Sequence, residues 1–454
     1  MNRPNVLFLM SDEHRFDVAG FAGNQVVRTP VLDGLARSGV VFDNAYTPSP
    51  VCVPARQSLA SGQLPATTGC RRHGDDLPGG HMTFARLFAQ YGYLTVACGK
   101  LHRMGPDQMQ GWTRRFGADA MVDAACVDDR VVGVTAPRPS KWNQAREVRR
   151  AVAGEAFHDR DDRMAVDGAR YCIGRHFVDG SSDRAVPEVP LLLKVSLLQP
   201  HYPYIVNDTE LLGYYLNRVE PYANDERFDH PILAGDARTV VRAGIEVTDR
   251  ELRRALAAYY AMVETVDARF GQVLAALRQA GQDLDDWIIV YTADHGEMLG
   301  EHGLFEKQKF FEGSVRVPLI VRWPARFGPR RVAENVSLCD LFATLCDLAG
   351  LPIPDGLDSR SLAGLLEGRS DGWDDETVSE FDGVNLMIKR GALKYQCYRA
   401  QQPEVLFDLA HDPGETANLI DEPRYVREVA AFRARVSALG FGLADLRPSP
   451  LPGP

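Results

Sequence analysis

The chain has 454 residues, of which 45% are hydrophobic and 25% charged, the composition of an ordinary globular protein. Lysine plus arginine number 51 against 61 aspartate plus glutamate, a net charge of −10, which excludes the broad positive field that non-specific nucleic-acid binding needs. The apolar run at residues 6–11 is too short for a signal-peptide core, and no stretch approaches the ~18 apolar residues of a membrane span, so the expectation is a soluble, cytoplasmic protein.

In chain order, residues 5–10 (NVLFLM) read as a buried strand ending at the polar cluster Ser11-Asp12-Glu13-His14. Thr29-Pro30 predicts a helix start, with threonine as N-cap and proline at the first position, and Gly39 its end. Residues 40–42 predict a short strand, and residues 57–61 a helical run stopping at Gly62. Residues 83–91 predict an amphipathic helix and residues 94–98 a strand, followed by Gly99-Lys100-Leu101-His102. Residues 105–190 read as a long irregular excursion, partly helical, over the functional face. Residues 191–198 predict a buried strand leading to His201, residues 251–279 a long helix, and residues 287–292 a strand ending in Ala293-Asp294-His295-Gly296-Glu297. Residues 317–321 predict a further strand and residues 336–348 an amphipathic helix. Beyond Gly372 the texture changes to a hairpin around Arg390-Gly391, a strand at residues 405–409 and a closing helix at residues 424–439.

These elements predict an α/β fold with a large, mostly parallel central sheet and helices on both faces. Residues 1–371 would form this body, and residues 372–454 a small antiparallel α+β subdomain with a proline-rich tail. Eight cysteines (Cys52, Cys70, Cys98, Cys126, Cys172, Cys339, Cys346 and Cys397) have no Cys-x-x-Cys pair and irregular spacing, which suits buried thiols in a reducing compartment.

Four predicted strand ends carry polar groups: Asp12-Glu13, Lys100 with His102, His201, and Asp294-His295. In a parallel sheet these ends share one edge. Carboxylates and an imidazole brought together there suit one divalent cation. Lys100, His102, His201, Arg56 and Lys307 (or its neighbour Lys309) add positive or proton-donating groups, as a site for an oxyanion requires.

Cys52-Val53-Pro54-Ala55-Arg56 followed by Gly62 resembles the sulfatase signature Cys-x-Pro-x-Arg, of the alkaline-phosphatase-like superfamily. The resemblance runs along nearly the whole chain, through Thr29-Pro30, Gly99-Lys100-Leu101-His102, Ala293-Asp294-His295-Gly296-Glu297, Arg316-Val317-Pro318-Leu319 and Asp412-Pro413-Gly414-Glu415. Its motifs are most similar to those of choline-sulfatase-like enzymes and phosphonate monoester hydrolases. The resemblance implies that Cys52 is oxidised to formylglycine by a formylglycine-generating enzyme. One hydroxyl of the hydrated aldehyde then attacks sulfur and expels the alcohol, and the second lets sulfate leave as the aldehyde re-forms. It implies Asp12, Asp294, His295 and modified Cys52 as metal ligands, with Glu13 a further candidate, around calcium first, with manganese or magnesium as alternatives. Arg56, Lys100, His102, His201 and Lys307 would support the nucleophile, bind the anion and protonate the leaving oxygen.

His73 stands where many relatives have an asparagine, and is a candidate substrate contact. Trp112, Trp142, Tyr202 and Tyr204 are candidates for an aromatic cage, whereas Arg71, Arg72, Arg114 and Arg115 point toward an anionic or polar substrate. The expected reaction is hydrolysis of a small anionic sulfate ester, with phosphonate monoester or phosphodiester hydrolysis the alternative, in a dimer or tetramer.

Overall fold

The computed structural model of the protein describes residues 3–116, 144–178, 189–222, 230–234, 239–398 and 402–441. Its main sheet has eight strands: β1 (Val6–Asp12), β2 (Val40–Tyr46), β3 (Leu94–Gly99), β4 (Arg114–Phe116), β5 (Leu191–Pro200), β6 (Ile288–Ala293), β7 (Leu319–Arg322) and β8 (Arg330–Ser337). Their order is β8-β2-β7-β6-β1-β5-β3-β4. Neighbours run parallel except where β7 meets β2 and β6. β1 is buried on both faces, which is why its apolar run shows no alternation.

Helices cover both sides: α1 (Pro30–Arg37), α2 (Cys52–Ser61), α3 (Phe84–Gln90), α4 (Phe157–Phe177), α5 (Asp249–Gln279) and α6 (Leu341–Leu348). Val6, Phe8 and Met10 pack with α2, α3 and α6, while Leu7 and Leu9 pack with α1, α4 and α5. The two-residue period of β1 thus divides its side chains between two cores.

The C-terminal sheet is antiparallel, with β9 (Glu376–Phe381), β10 (Asn385–Arg390), β11 (Leu393–Cys397) and β12 (Val405–Asp408) in that order. One face packs on α7 (Val426–Ala438), where Tyr395 and Phe432 stack at 5.3 Å. On the other, Met387 and Phe407 pack with Met298, Phe310, Phe311 and Val315 of the long β6–β7 connection.

Several expectations are corrected. Residues 330–337 are a strand; Ser337 and Asp340 then form a capping box on the 3-10 turn Leu338–Asp340, and helix α6 starts only at Leu341. The amphipathic pattern from Val336 therefore merged the end of a strand with a helix. Within residues 105–190, the described part is more regular than expected: α4 is a 21-residue helix packed on the sheet. Thr29 does not cap α1 with its side chain; its hydroxyl donates to Asp33 Oδ1 at 3.0 Å instead. Strands β4 and β9 were not anticipated.

Candidate active site

β6, β1, β5 and β3 are consecutive in the sheet and parallel, so their C-terminal ends meet at one edge. They deliver Asp294 and His295, Asp12 and Glu13, His201, and Lys100 respectively. Two glycines let the chain turn there. Gly99 has φ +86°, and a Cβ on it would lie 2.1 Å from the Ser196 carbonyl oxygen. A Cβ on Gly296 would lie 2.0 Å from the Gly313 carbonyl oxygen. Glu13 (φ 62°) and His102 (φ 58°) hold left-handed backbone without being glycine, local strain concentrated at this edge.

α2 enters from the side and is buried at all ten residues. Cys52 is its first residue, where unpaired backbone N–H groups favour negative charge. Pro54 costs nothing in this first turn, since its missing N–H would have no helical partner. Arg56, four residues on, lies on the same face one turn deeper. Its guanidinium donates to Asp294 Oδ2 at 2.7 Å, Asp12 Oδ2 at 2.8 Å, the Lys100 carbonyl at 2.9 Å and Ser196 Oγ at 3.0 Å. Arg56 thereby fixes both aspartates from behind.

Their other oxygens face forward. Cys52 Sγ lies 3.0 Å from His295 Nε2 and 3.8 Å from Asp12 Oδ1. His295 Nε2 is 3.8 Å from Asp294 Oδ1 and 4.0 Å from Asp12 Oδ1. One donor atom from each of Asp12, Cys52, Asp294 and His295 lies within 4.8 Å of the others, and all four residues are buried. His295 Nδ1 donates to the Gly296 carbonyl at 3.0 Å, so Nε2 presents a lone pair. Two carboxylate oxygens and an imidazole lone pair facing one point are mutually repulsive, and a cation among them satisfies all three. The residues present fit a divalent metal.

The electrostatics agree. Burial works against the charge of Asp12, yet Lys100 (Nζ 2.5 Å from Oδ2) and Arg56 hold its carboxyl well below the usual range. Burial and the Asp12 carboxylate push the Cys52 thiol up to about 12, leaving it protonated and weakly nucleophilic at neutral pH.

A second group adjoins the first. Lys307 Nζ lies 2.9 Å from Glu13 Oε2 and 2.9 Å from His201 Nε2. His201 Nδ1 donates to the Tyr202 carbonyl at 2.6 Å, so Nε2 accepts from Lys307. Burial and the Lys307 charge hold His201 well below the usual imidazole range. Burial opposes the ammonium of Lys307, but Glu13 holds it well above the usual lysine range. Lys307, rather than Lys309, therefore joins the cluster. Glu13 turns its carboxylate to this second group, while its backbone N–H donates to Asp294 Oδ1 at 3.1 Å.

The remaining candidates divide. His102 is buried, and His73 meets its ring edge-on at 4.9 Å from the more exposed rim. Burial and Lys100 hold His102 well below the usual imidazole range. Tyr202 lies beside His201 at 4.2 Å, with Lys307 Nζ 5.0 Å from its ring centre. Tyr204 is buried and donates to Glu297. Trp112 is a core residue against Phe84, not part of a cage. Arg72 pairs with Asp382, the Arg71 guanidinium lies over Phe441, Arg114 and Arg115 sit on edge strand β4, and Trp142 lies outside the described residues. Sequence reasoning missed His158, which α4 brings within 6.0 Å of the His201 ring. The apolar pattern Ala165, Val166, Ala169, Cys172 and Ile173 could have located this helix.

Comparison with known proteins places this geometry. Residues 4–351 match the sulfatase family model, and residues 300–440 that of the N-sulphoglucosamine sulphohydrolase C-terminal region. The chain is 32% identical to a choline-sulfatase of Rhizobium meliloti, over 93% of this chain and 83% of that protein. It is 30% identical to arylsulfatase K of Gallus gallus, over 92% and 79%. Among solved structures, the phosphonate monoester hydrolase of Agrobacterium radiobacter superposes with a TM-score of 0.77 at 25% identity, covering 96% of this chain and 95% of that one. The chain belongs to the sulfatase family and is a sulfuric ester hydrolase.

Proposed function

We propose that this hydrolase cleaves small anionic sulfate esters at a formylglycine made from Cys52 and held at one divalent cation by Asp12, Asp294 and His295. The observation that carries the reading is the convergence of Asp12, Cys52, Asp294 and His295 donor atoms within 4.8 Å of one another. Oxygen donors suit calcium or magnesium, and the imidazole admits manganese. The cation would neutralise the anion, and the hydrated aldehyde would supply one hydroxyl to attack sulfur and another to release sulfate.

The chain's own residues do the rest. Arg56 orients both metal-facing carboxylates through ion pairs of 2.8 Å to Asp12 and 2.7 Å to Asp294, and so acts through them. Lys100 and His102 would bind the anion; Lys100 stays charged, because Asp12, 2.5 Å away, and the other negative groups around it together offset the burial that opposes it. Lys307 has three N–H donors, two of them engaged by Glu13 and His201, leaving one for the leaving oxygen. Its charge stabilises the developing alkoxide, and His201 and Glu13 hold it in place. Glu13 is then a positioning residue for Lys307 rather than a member of the four-donor group. His73, at the rim, would contact the alcohol part of the substrate. Seven described cysteines, all buried and free, support a reducing, cytoplasmic setting.

The test is kcat/KM for an aryl sulfate against an aryl phosphonate monoester, with formylglycine confirmed in the preparation. A clear preference for the sulfate is expected. Preference for the phosphonate would instead favour the chemistry of the Agrobacterium relative.

A further inference from the structure

We propose that His158 is a specificity-determining residue that hydrogen-bonds an oxygen on the alcohol part of the ester, on the carbon next to the cleaved bond. The proposal rests on the sulfate-ester reading above. His158 is 2% exposed, and its Nδ1 is buried with no hydrogen-bond partner among the described residues. A buried ring nitrogen without a partner is uncommon and unfavourable, so its retention calls for an account. The ring lies beside the reaction centre: it meets the His201 ring at 6.0 Å and 61°, near enough for the charges of Lys100, Asp12 and Lys307 to act on it.

Its position is built rather than incidental. Asp162, one turn along α4, accepts from the backbone N–H groups of Leu198 at 2.6 Å and Gln199 at 3.1 Å, at the end of β5. Arg269 of α5 pairs with both Asp159 and Asp162. The start of α4 is thereby tied to the strand that carries His201, and the two imidazoles are held in fixed relation.

His201 and Lys307 mark the side from which the alcohol leaves. An imidazole nitrogen reaches an oxygen about 2.9 Å away. With the leaving oxygen on Lys307, which His201 Nε2 holds at 2.9 Å, an imidazole 6.0 Å from the His201 ring is at the distance to reach a second oxygen on the neighbouring carbon. The substrate class this selects is the sulfate ester of a vicinal diol or catechol, rather than of an alcohol whose neighbouring carbon is apolar or cationic.

The experiment compares kcat/KM for p-nitrocatechol sulfate, which has a hydroxyl beside the ester, with that for p-nitrophenyl sulfate, which lacks it. Formylglycine-loaded wild type, His158→Phe, His158→Leu and His158→Asn are assayed. Losing one hydrogen bond to the substrate should lower the catechol-to-phenyl ratio about tenfold in the Phe and Leu variants, chiefly through KM for the catechol ester. Asn, which carries a polar atom at the depth of Nδ1, should restore the ratio to within about threefold of wild type. A ratio unchanged in Phe and Leu, or both esters lost in equal proportion, overturns the proposal while leaving the sulfatase reading intact. Failure of wild type to hydrolyse either ester overturns both.

Discussion

At the scale of single residues, the centre separates groups that react from groups that orient. Cys52 is small, and replacing it with alanine removes only Sγ, so Cys52→Ala should keep its melting temperature close to wild type. Turnover of an aryl sulfate should fall by several orders of magnitude, as for loss of other covalent nucleophiles. Retained turnover would remove Cys52 from the reaction. Much at this scale was legible, because strand-end polar residues sit where a parallel sheet gathers them: Asp12, Lys100, His201, Asp294 and His295 all meet. Two things were not. Spacing could not choose between Lys307 and Lys309, because only the path of the chain through the positive-φ residues Glu306 and Gln308 decides which ammonium faces inward. Nor could it show that the Glu13 carboxylate turns to Lys307, since its left-handed backbone sets that direction.

At the scale of elements, the C-terminal sheet anchors the loop that carries Lys307 through one buried lysine. Lys394 of β11 is fully buried, with Nζ 2.9 Å from Glu312 and 2.7 Å from Glu415. Glu415 also accepts from the Glu312 backbone N–H at 2.7 Å. Glu312 closes the segment that carries Lys307, so this network anchors the loop from outside the main sheet. Lys394→Met would leave two buried carboxylates facing each other, at a cost of about 3–5 kcal/mol. The variant should melt lower and lose kcat on an aryl sulfate. A lower melting temperature with unchanged kcat would make the contact purely structural. The sequence marks Asp412-Pro413-Gly414-Glu415 as a motif, but the partners of Glu415, Lys394 and Glu312, both lie far earlier in the chain and have no local signature. The hairpin of β10 and β11 was legible from Arg390-Gly391, whereas β8 was not. β8 is a sheet-edge strand, exposed over its first residues, and its last apolar positions align by chance with the period of α6.

At the scale of the whole molecule, a mostly parallel sheet follows from alternating strands and helices, while the two antiparallel contacts of β7 depend on long-range pairing. The same sheet brings the Asp12, Asp294 and His295 donors together and α2 adds Cys52, so the folded state and the bound cation are linked. Chelation should lower the melting temperature, and adding back calcium or manganese should restore it. The stabilisation expected at a hundredfold excess over Kd is about 2.7 kcal/mol. An unchanged melting temperature after verified metal removal would place the cation elsewhere. Whether catalysis runs through a formylglycine derived from Cys52 is decided by the mass of the Cys52 peptide from protein made in its native host and shown to hydrolyse an aryl sulfate. The expected mass is that of an aldehyde in place of the thiol. An active preparation whose Cys52 is wholly unmodified thiol would contradict it.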